Sequence, residues 1–156
     1  MEVEKLSEEK ITEKAAKIIR AHGLKRTPQR LKILIYLMTH HNHPTAEMIF
    51  NDISLSDEKT GIATIYNTLN TFVDLGFVIE INNGNDGSTH YDFFAKPHFH
   101  VICTNCGRIA DVEYTDFDKI ETKMRQETEK QTGYITRSSH IKIYGLCPDC
   151  QKLENK

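Results

Sequence analysis

The chain has 156 residues, a formal net charge of -2, 38% hydrophobic residues and no tryptophan. That length accommodates one modest core or two small ones of roughly 50 to 100 residues, and no apolar run approaches the roughly 20 residues that a membrane span needs. The N-terminal stretch Met1-Glu2-Val3-Glu4-Lys5 is acidic where a secretory signal would be basic and then apolar, so a cytoplasmic protein is expected.

Net charge hides a distribution. Between Glu13 and Glu47 there is no acidic residue, while Lys14, Lys17, Arg20, Lys25, Arg26, Arg30 and Lys32 all fall in that stretch. Such a run is either a solvated basic helix face or a surface that meets a phosphate backbone.

In chain order, apolar spacing predicts a first helix over 7–21 with Ile11, Ala15, Ile18 and Ile19 on one side, stopped by Gly23. The second opens with Thr27 as N-cap and Pro28 at the first helical position, where its missing N–H costs nothing, and carries Leu31, Leu34, Ile35 and Met38 inward. A third follows Pro44 with Thr45 as cap and Ala46, Ile49, Phe50 and Ile53 inward. The fourth runs from near Thr60 to Gly76 on a stripe of Ile62, Ile65, Leu69, Phe72 and Val73. The period then becomes alternating: Phe77 to Ile81 and Thr89 to Phe93 flank an Asn/Gly-rich turn over 82–87, a hairpin signature. Helices followed by a short hairpin is the element order of a winged helix-turn-helix.

A hinge is expected at Ala95 to Pro97. Beyond it, strands over 98–103 and 108–114, a helix capped by Thr115 that carries Phe117, Ile120 and Met124, and a long strand over 134–144 make a second, thin α+β unit in need of a staple or a partner chain. The expected fold is therefore α+β: a winged helix-turn-helix DNA-binding domain over 1–94, then a small dimerisation and metal-binding domain over 95–156.

All four cysteines fall in two C-x-x-C pairs, Cys103-Thr104-Asn105-Cys106 and Cys147-Pro148-Asp149-Cys150, separated by 40 residues. Four thiolates delivered by two tight turns are what tetrahedral Zn(II) requires. A redox pair of the thioredoxin type needs a helix after its C-x-x-C, for which the six residues after Cys150 leave no room. Disulfides are disfavoured in a reducing compartment. The expected four-cysteine zinc site is closed and structural.

The histidines and aspartates left over form a second pattern. His98 and His100 lie two apart on an expected strand, so both rings face one side. Asp92 ends the wing, Asp111 lies on the strand after the first knuckle, and His43 precedes the third helix. Imidazole with carboxylate suits Fe(II), Mn(II) or Zn(II). Each residue taken alone also fits a surface or capping role, and His40 and His41 read as solvated.

Over nearly its whole length the chain resembles the ferric-uptake-regulator (Fur) family of bacterial metalloregulators. The resemblance is carried by Gly23-Leu24-Lys25-Arg26-Thr27-Pro28-Gln29-Arg30, Ala63-Thr64-Ile65-Tyr66-Asn67-Thr68-Leu69, His98-Phe99-His100-Val101-Ile102-Cys103 and Tyr144-Gly145-Leu146-Cys147. It is most similar to the peroxide-sensing PerR branch, because Asp111 stands where iron sensors usually have glutamate and Asn67 follows Tyr66 where they usually have arginine. The resemblance implies that His43, Asp92, His98, His100 and Asp111 hold a regulatory Fe(II) or Mn(II), and that Cys103, Cys106, Cys147 and Cys150 hold structural Zn(II). It further implies that peroxide reacting at Fe(II) oxidises His43 and His98. A further metal site of many iron sensors looks incomplete: His140 is in place and Asp118 could serve, but Pro97 and Phe99 stand where histidine and aspartate are typical.

On a helical wheel the fourth helix turns Thr60, Ala63, Thr64, Asn67 and Thr71 away from its buried stripe, with Tyr66 at the border. Small side chains permit close approach to a major groove, Ala and Thr methyls suit thymine, and Asn pairs bidentately with adenine, so an A/T-rich operator is expected. Lys14, Lys25, Arg26 and Arg30 are the expected phosphate contacts. A palindromic operator demands a homodimer, which the 134–144 strand would join across a two-fold axis. The function expected is a metal-dependent repressor whose only small-molecule reactant is peroxide. The alternatives are an iron-, manganese- or zinc-responsive repressor without peroxide sensing and, from another class, a metallohydrolase.

Overall fold

The structure is a computed structural model describing residues 2–56, 59–82, 87–94 and 96–154. The chain divides into two compact units, one from residues 1–81 and 89–93 and the other from 82–88 and 94–156. Most of the expected wing turn, residues 83–86, and Ala95 of the expected hinge lie outside the described residues.

The first unit holds α1 (Glu2–Ala21), α2 (Pro28–Thr39), α3 (Ala46–Ser54), α4 (Ile62–Asp74) and a two-stranded sheet of β1 (Val78–Asn82) and β2 (Thr89–Phe93). This is a winged helix-turn-helix. Gly23, at φ +72°, ends the first helical segment in a conformation that β-carbon-bearing residues avoid. Thr27 caps α2, its hydroxyl accepting the Arg30 N–H at 3.3 Å, and Thr45 caps α3 by accepting from Met48 N–H at 3.3 Å. One core gathers Ala15, Ile19, Ile33, Leu34, Leu37, Ile49, Ile65, Leu69, Phe72 and Tyr91.

Two expected faces differ from the structure. On α2 the fully buried residues are Ile33, Leu34, Tyr36 and Leu37, while Leu31, Ile35 and Met38 are only half-buried. The unbroken apolar run over 33–38 leaves the helix's orientation to the neighbours that pack on it. On α4 the N-cap is Gly61, so Thr60 precedes the helix and is buried, whereas Ile62 is exposed at the first helical position.

The second unit is a three-stranded sheet in the order β4-β3-β5, with β3 (Phe99–Cys103) central, β4 (Ile109–Val112) antiparallel to it and β5 (Lys142–Gly145) parallel. α5 (Phe117–Thr132) follows β4, and α6 (Pro148–Glu154) closes the chain. Buried here are His100, Ile102, Cys103, Phe117 and Cys150. Phe99 and Phe117 rings meet at 5.7 Å. The core is as thin as the sequence suggests.

Four expectations for this unit are corrected. Asp116, not Thr115, occupies the N-cap of α5, without a side-chain capping bond. Ile120 and Met124 are 41% and 51% exposed rather than core. The long strand over 134–144 shrinks to β5, leaving Tyr134 and Ile135 at 74% and 89% exposure; a strand needs a neighbour to bond to, and among the described residues the pairing with β3 reaches back only to Ile141, whose carbonyl accepts from His100 N–H at 3.2 Å. A short helix does follow Cys147, in a space that looks too small for one in the sequence, because Pro148 is well suited to a first helical position.

Candidate metal centres and DNA-reading face

The two knuckles converge in the second unit. Gly107, at φ +74°, donates its N–H to Cys103 O at 2.9 Å, which closes the turn that carries Cys103 and Cys106 to one side. The second pair sits where β5 passes into α6. All four Sγ atoms lie within 4.8 Å of one another, and Cys106 Sγ is 3.8 Å from Cys147 Sγ. Zinc–sulfur bonds of about 2.3 Å directed at tetrahedral corners separate the sulfurs by about 3.8 Å, so the thiolates fit that ion. Donors surround them: Cys147 N–H points at Cys103 Sγ at 3.3 Å and the Asn105 amide at Cys150 Sγ at 3.2 Å. Backbone N–H donation, first from Cys106 and then from Cys147, draws the Cys103 thiol down to about 6, favouring the thiolate that binds metal.

The second cluster is built on β3 and β4. His100 and Asp111 are register partners, and His98 lies two residues before His100. His98 Nε2 is 3.1 Å from His100 Nε2 and 3.7 Å from Asp111 Oδ1, while His100 Nε2 is 3.2 Å from Asp111 Oδ1. His98 Nδ1 faces the Lys96 carbonyl at 2.7 Å. A carbonyl only accepts, so that nitrogen carries the proton and the Nε2 lone pair is turned toward the other two groups. Three ligand atoms around one point can be held together by a proton on His100 Nε2 or by a shared cation. Neighbouring ligands on an octahedral ion at roughly 2.1 Å are about 3.0 Å apart, which the 3.1 and 3.2 Å separations approach and the 3.7 Å one exceeds.

In the first unit His43 and Asp92 are both buried. The segment before α3 runs against β2: Thr45 bridges His90 antiparallel, and Tyr91 donates its N–H to Pro44 O at 2.9 Å. That register sets His43 across from Asp92, with ligand atoms within 4.8 Å. His43 is the only non-glycine residue among those described with positive φ, at 51°, and its carbonyl accepts from His90 Nδ1 at 2.6 Å. Left-handed backbone at a bulky residue persists only where surroundings enforce it. His90 escaped the sequence reading, although its place two residues before Asp92 on one strand was a usable sign.

Among the described residues no group of three or more metal-ligating side chains includes His140 or Asp118. His140 instead sets its ring edge-on to Phe94 at 5.9 Å. Burial, then the Lys142 charge, lowers its pKa.

On the expected reading face Ala63, Thr64 and Asn67 are exposed and Tyr66 is 38% exposed. Thr60 is not: at 3% exposure it cannot reach a groove from where it lies, and the face narrows to α4 itself. Tyr66 donates its hydroxyl to Glu47 Oε1 on α3, a partner the sequence did not suggest. Lys14, Lys25 and Arg26 are exposed and Arg30 half-buried, its guanidinium donating to Lys25 O at 2.8 Å. The basic run is not wholly uncompensated, since Lys17 pairs with Glu13 at 3.0 Å.

A winged helix-turn-helix in one chain with a four-thiolate cage and an imidazole–carboxylate cluster defines a metal-binding, nucleic-acid-reading class of protein. Comparison with known proteins agrees. The description "Ferric uptake regulator family" matches residues 21–144. The peroxide-responsive repressor PerR of Staphylococcus saprophyticus is 41% identical over 133 residues, 85% of this chain and 86% of that protein. PerR of Staphylococcus aureus is 38% identical over 151 residues, 97% of this chain and 99% of its own. The Campylobacter jejuni peroxide stress regulator has a similar structure, with TM-score 0.66 and 33% identity over 86% of this chain and 98% of that one. The chain belongs to the ferric uptake regulator family.

Proposed function

We propose that the chain is a metal-dependent transcriptional repressor that binds an A/T-rich palindromic operator as a homodimer and releases it when hydrogen peroxide oxidises its metal site. The observation that carries this reading is the His98–His100–Asp111 trio, a preformed face for an Fe(II) or Mn(II) ion separate in chemistry from the thiolate cage. His43 and Asp92 would be the remaining ligands, and an ion held by all five side chains would fix the reading heads in the DNA-competent arrangement. An Fe(II) ion there supplies the chemistry that reduces peroxide. In balance, one peroxide oxygen adds to the imidazole of His43 or His98 and the other leaves as water. The names of the relatives support this reading over a metallohydrolase.

The structural zinc staples the second unit, whose core is too thin to hold alone. Dimer formation is supported by the apolar side chains this unit leaves in water: Ile120, Met124, Tyr134, Ile135, Ile143 and Tyr144 are all at least 41% exposed. α4 reads bases with Ala63, Thr64, Tyr66 and Asn67, while Lys14, Lys25, Arg26 and Arg30 hold phosphates.

One observation favours a second reading. Tetrahedral zinc sets imidazole nitrogens roughly 3.4 Å apart, within the 3.1–3.7 Å spread of the trio, so a plain metal sensor has a site too. A DNA-shift assay with Fe(II) or Mn(II), with and without peroxide, separates the two. Peroxide releasing DNA only from the Fe(II) form supports the proposal; release by chelator alone supports the metal sensor.

A further inference from the structure

The Tyr66 hydroxyl has one proton to give, and it gives it to Glu47. Glu47 lies in the first turn of α3, where the helix dipole favours a carboxylate and the Thr45 cap fixes the backbone. Tyr66 lies on α4 beside the exposed Ala63, Thr64 and Asn67. A tyrosine with a free hydroxyl donates readily to the phosphate–sugar backbone, which takes half to two-thirds of protein–DNA hydrogen bonds. With its proton engaged, the Tyr66 oxygen can only accept, and the carboxylate behind it only accepts and repels phosphate.

We infer that Glu47 is a specificity-determining residue: it turns the Tyr66–Glu47 pair into an acceptor-only edge that selects a base offering an amino group in the major groove, adenine N6 or cytosine N4. The bond leaves its mark on both partners. It holds the Glu47 carboxyl below its ordinary range and the Tyr66 phenol above its own. The inference rests on α4 being the DNA-reading helix and adds what its border residue reads. Glu47 acts through Tyr66, so it is a positioning residue.

The test uses the full-length, Mn(II)-loaded chain to select binding sites from a random duplex pool, with Glu47→Ala, Glu47→Gln and Tyr66→Phe selected in parallel. Glu47→Ala is expected to lose about tenfold of its preference for an amino-bearing base at one position per half-site. Tyr66→Phe should lose preference at that same position. Glu47→Gln, whose amide oxygen still accepts the hydroxyl proton, should retain it. Ultraviolet titration should show Tyr66 ionising at lower pH in Glu47→Ala than in the wild type. A Glu47→Ala motif identical to that of the wild type, or preference lost evenly at every position, would overturn the inference while leaving the repressor function standing. A wild-type protein that enriches no sequence would overturn the function and the inference with it.

Discussion

His100 on β3 and Asp111 on β4 are register partners, with His100 Nε2 and Asp111 Oδ1 3.2 Å apart. The sheet itself thus places an imidazole and a carboxylate on one point, and His98 joins them because it lies two residues before His100. The His100–Asp111 geometry is a property of strand register, and sites built on strands are held more precisely than sites on loops.

Asp111 is partly exposed and outside the core, so Asp111→Ala should fold normally. It should bind Mn(II) at least about tenfold more weakly, by analogy with the losses that follow removal of metal-supporting groups. Calorimetric titration with Mn(II) checks this, and zinc content should stay unchanged. Equal loss of zinc would mean that the two centres are not independent.

Cys106→Ser removes one corner of the thiolate cage. Because so little apolar surface is buried in the second unit, the loss should unfold that unit and abolish the dimer, while the first unit keeps its own helical core. Sedimentation and circular dichroism, with zinc analysis, report each effect.

Asn67→Ala and Lys25→Ala should differ in kind. The first should cost about 1 to 3 kcal/mol at particular base pairs and little on unrelated DNA. The second should weaken binding to all sequences and reduce the salt slope by about 1. Binding isotherms on operator and scrambled duplexes at several salt concentrations distinguish them.

Tyr36 is held up to about 12 by burial, then by its hydrogen bond to Asp52, and Tyr91 up to about 12 by burial, then by the Glu80 charge. In the unfolded chain both release their protons near the ordinary value of 10.0. Their contribution to stability is therefore complete below that value and declines as pH rises from about 10 toward 12. Denaturant unfolding across that window should show the decline, and Tyr36→Phe should make it shallower.

Features set by local chemistry were legible in the sequence. Thr27 before Pro28, Thr45 before α3, the two C-x-x-C pairs and the His98/His100 spacing all describe contacts within a few residues, and the structure contains each. Features set by partners were not. Thr60 looks like a face residue on a wheel, yet the helix begins after Gly61 and Thr60 is buried. The positive φ of His43 and its support from His90, 47 residues away, depend on β2 lying against the segment before α3. Residues 134–140 carry a strand's pattern, but among the described residues no strand pairs with them, and Ile120 and Met124 carry a core helix's pattern on a face that the chain leaves exposed. In the second unit, residues patterned for burial are exposed where the proposed second subunit would cover them.

The most direct test of peroxide sensing is mass spectrometry of the peptides containing His43 and His98 after the Fe(II)-loaded protein meets hydrogen peroxide. The account predicts a gain of one oxygen atom on these peptides in the Fe(II) sample and none in the Mn(II) sample. Unmodified His43 and His98 in Fe(II)-loaded protein that has nonetheless released its DNA on peroxide treatment would contradict it.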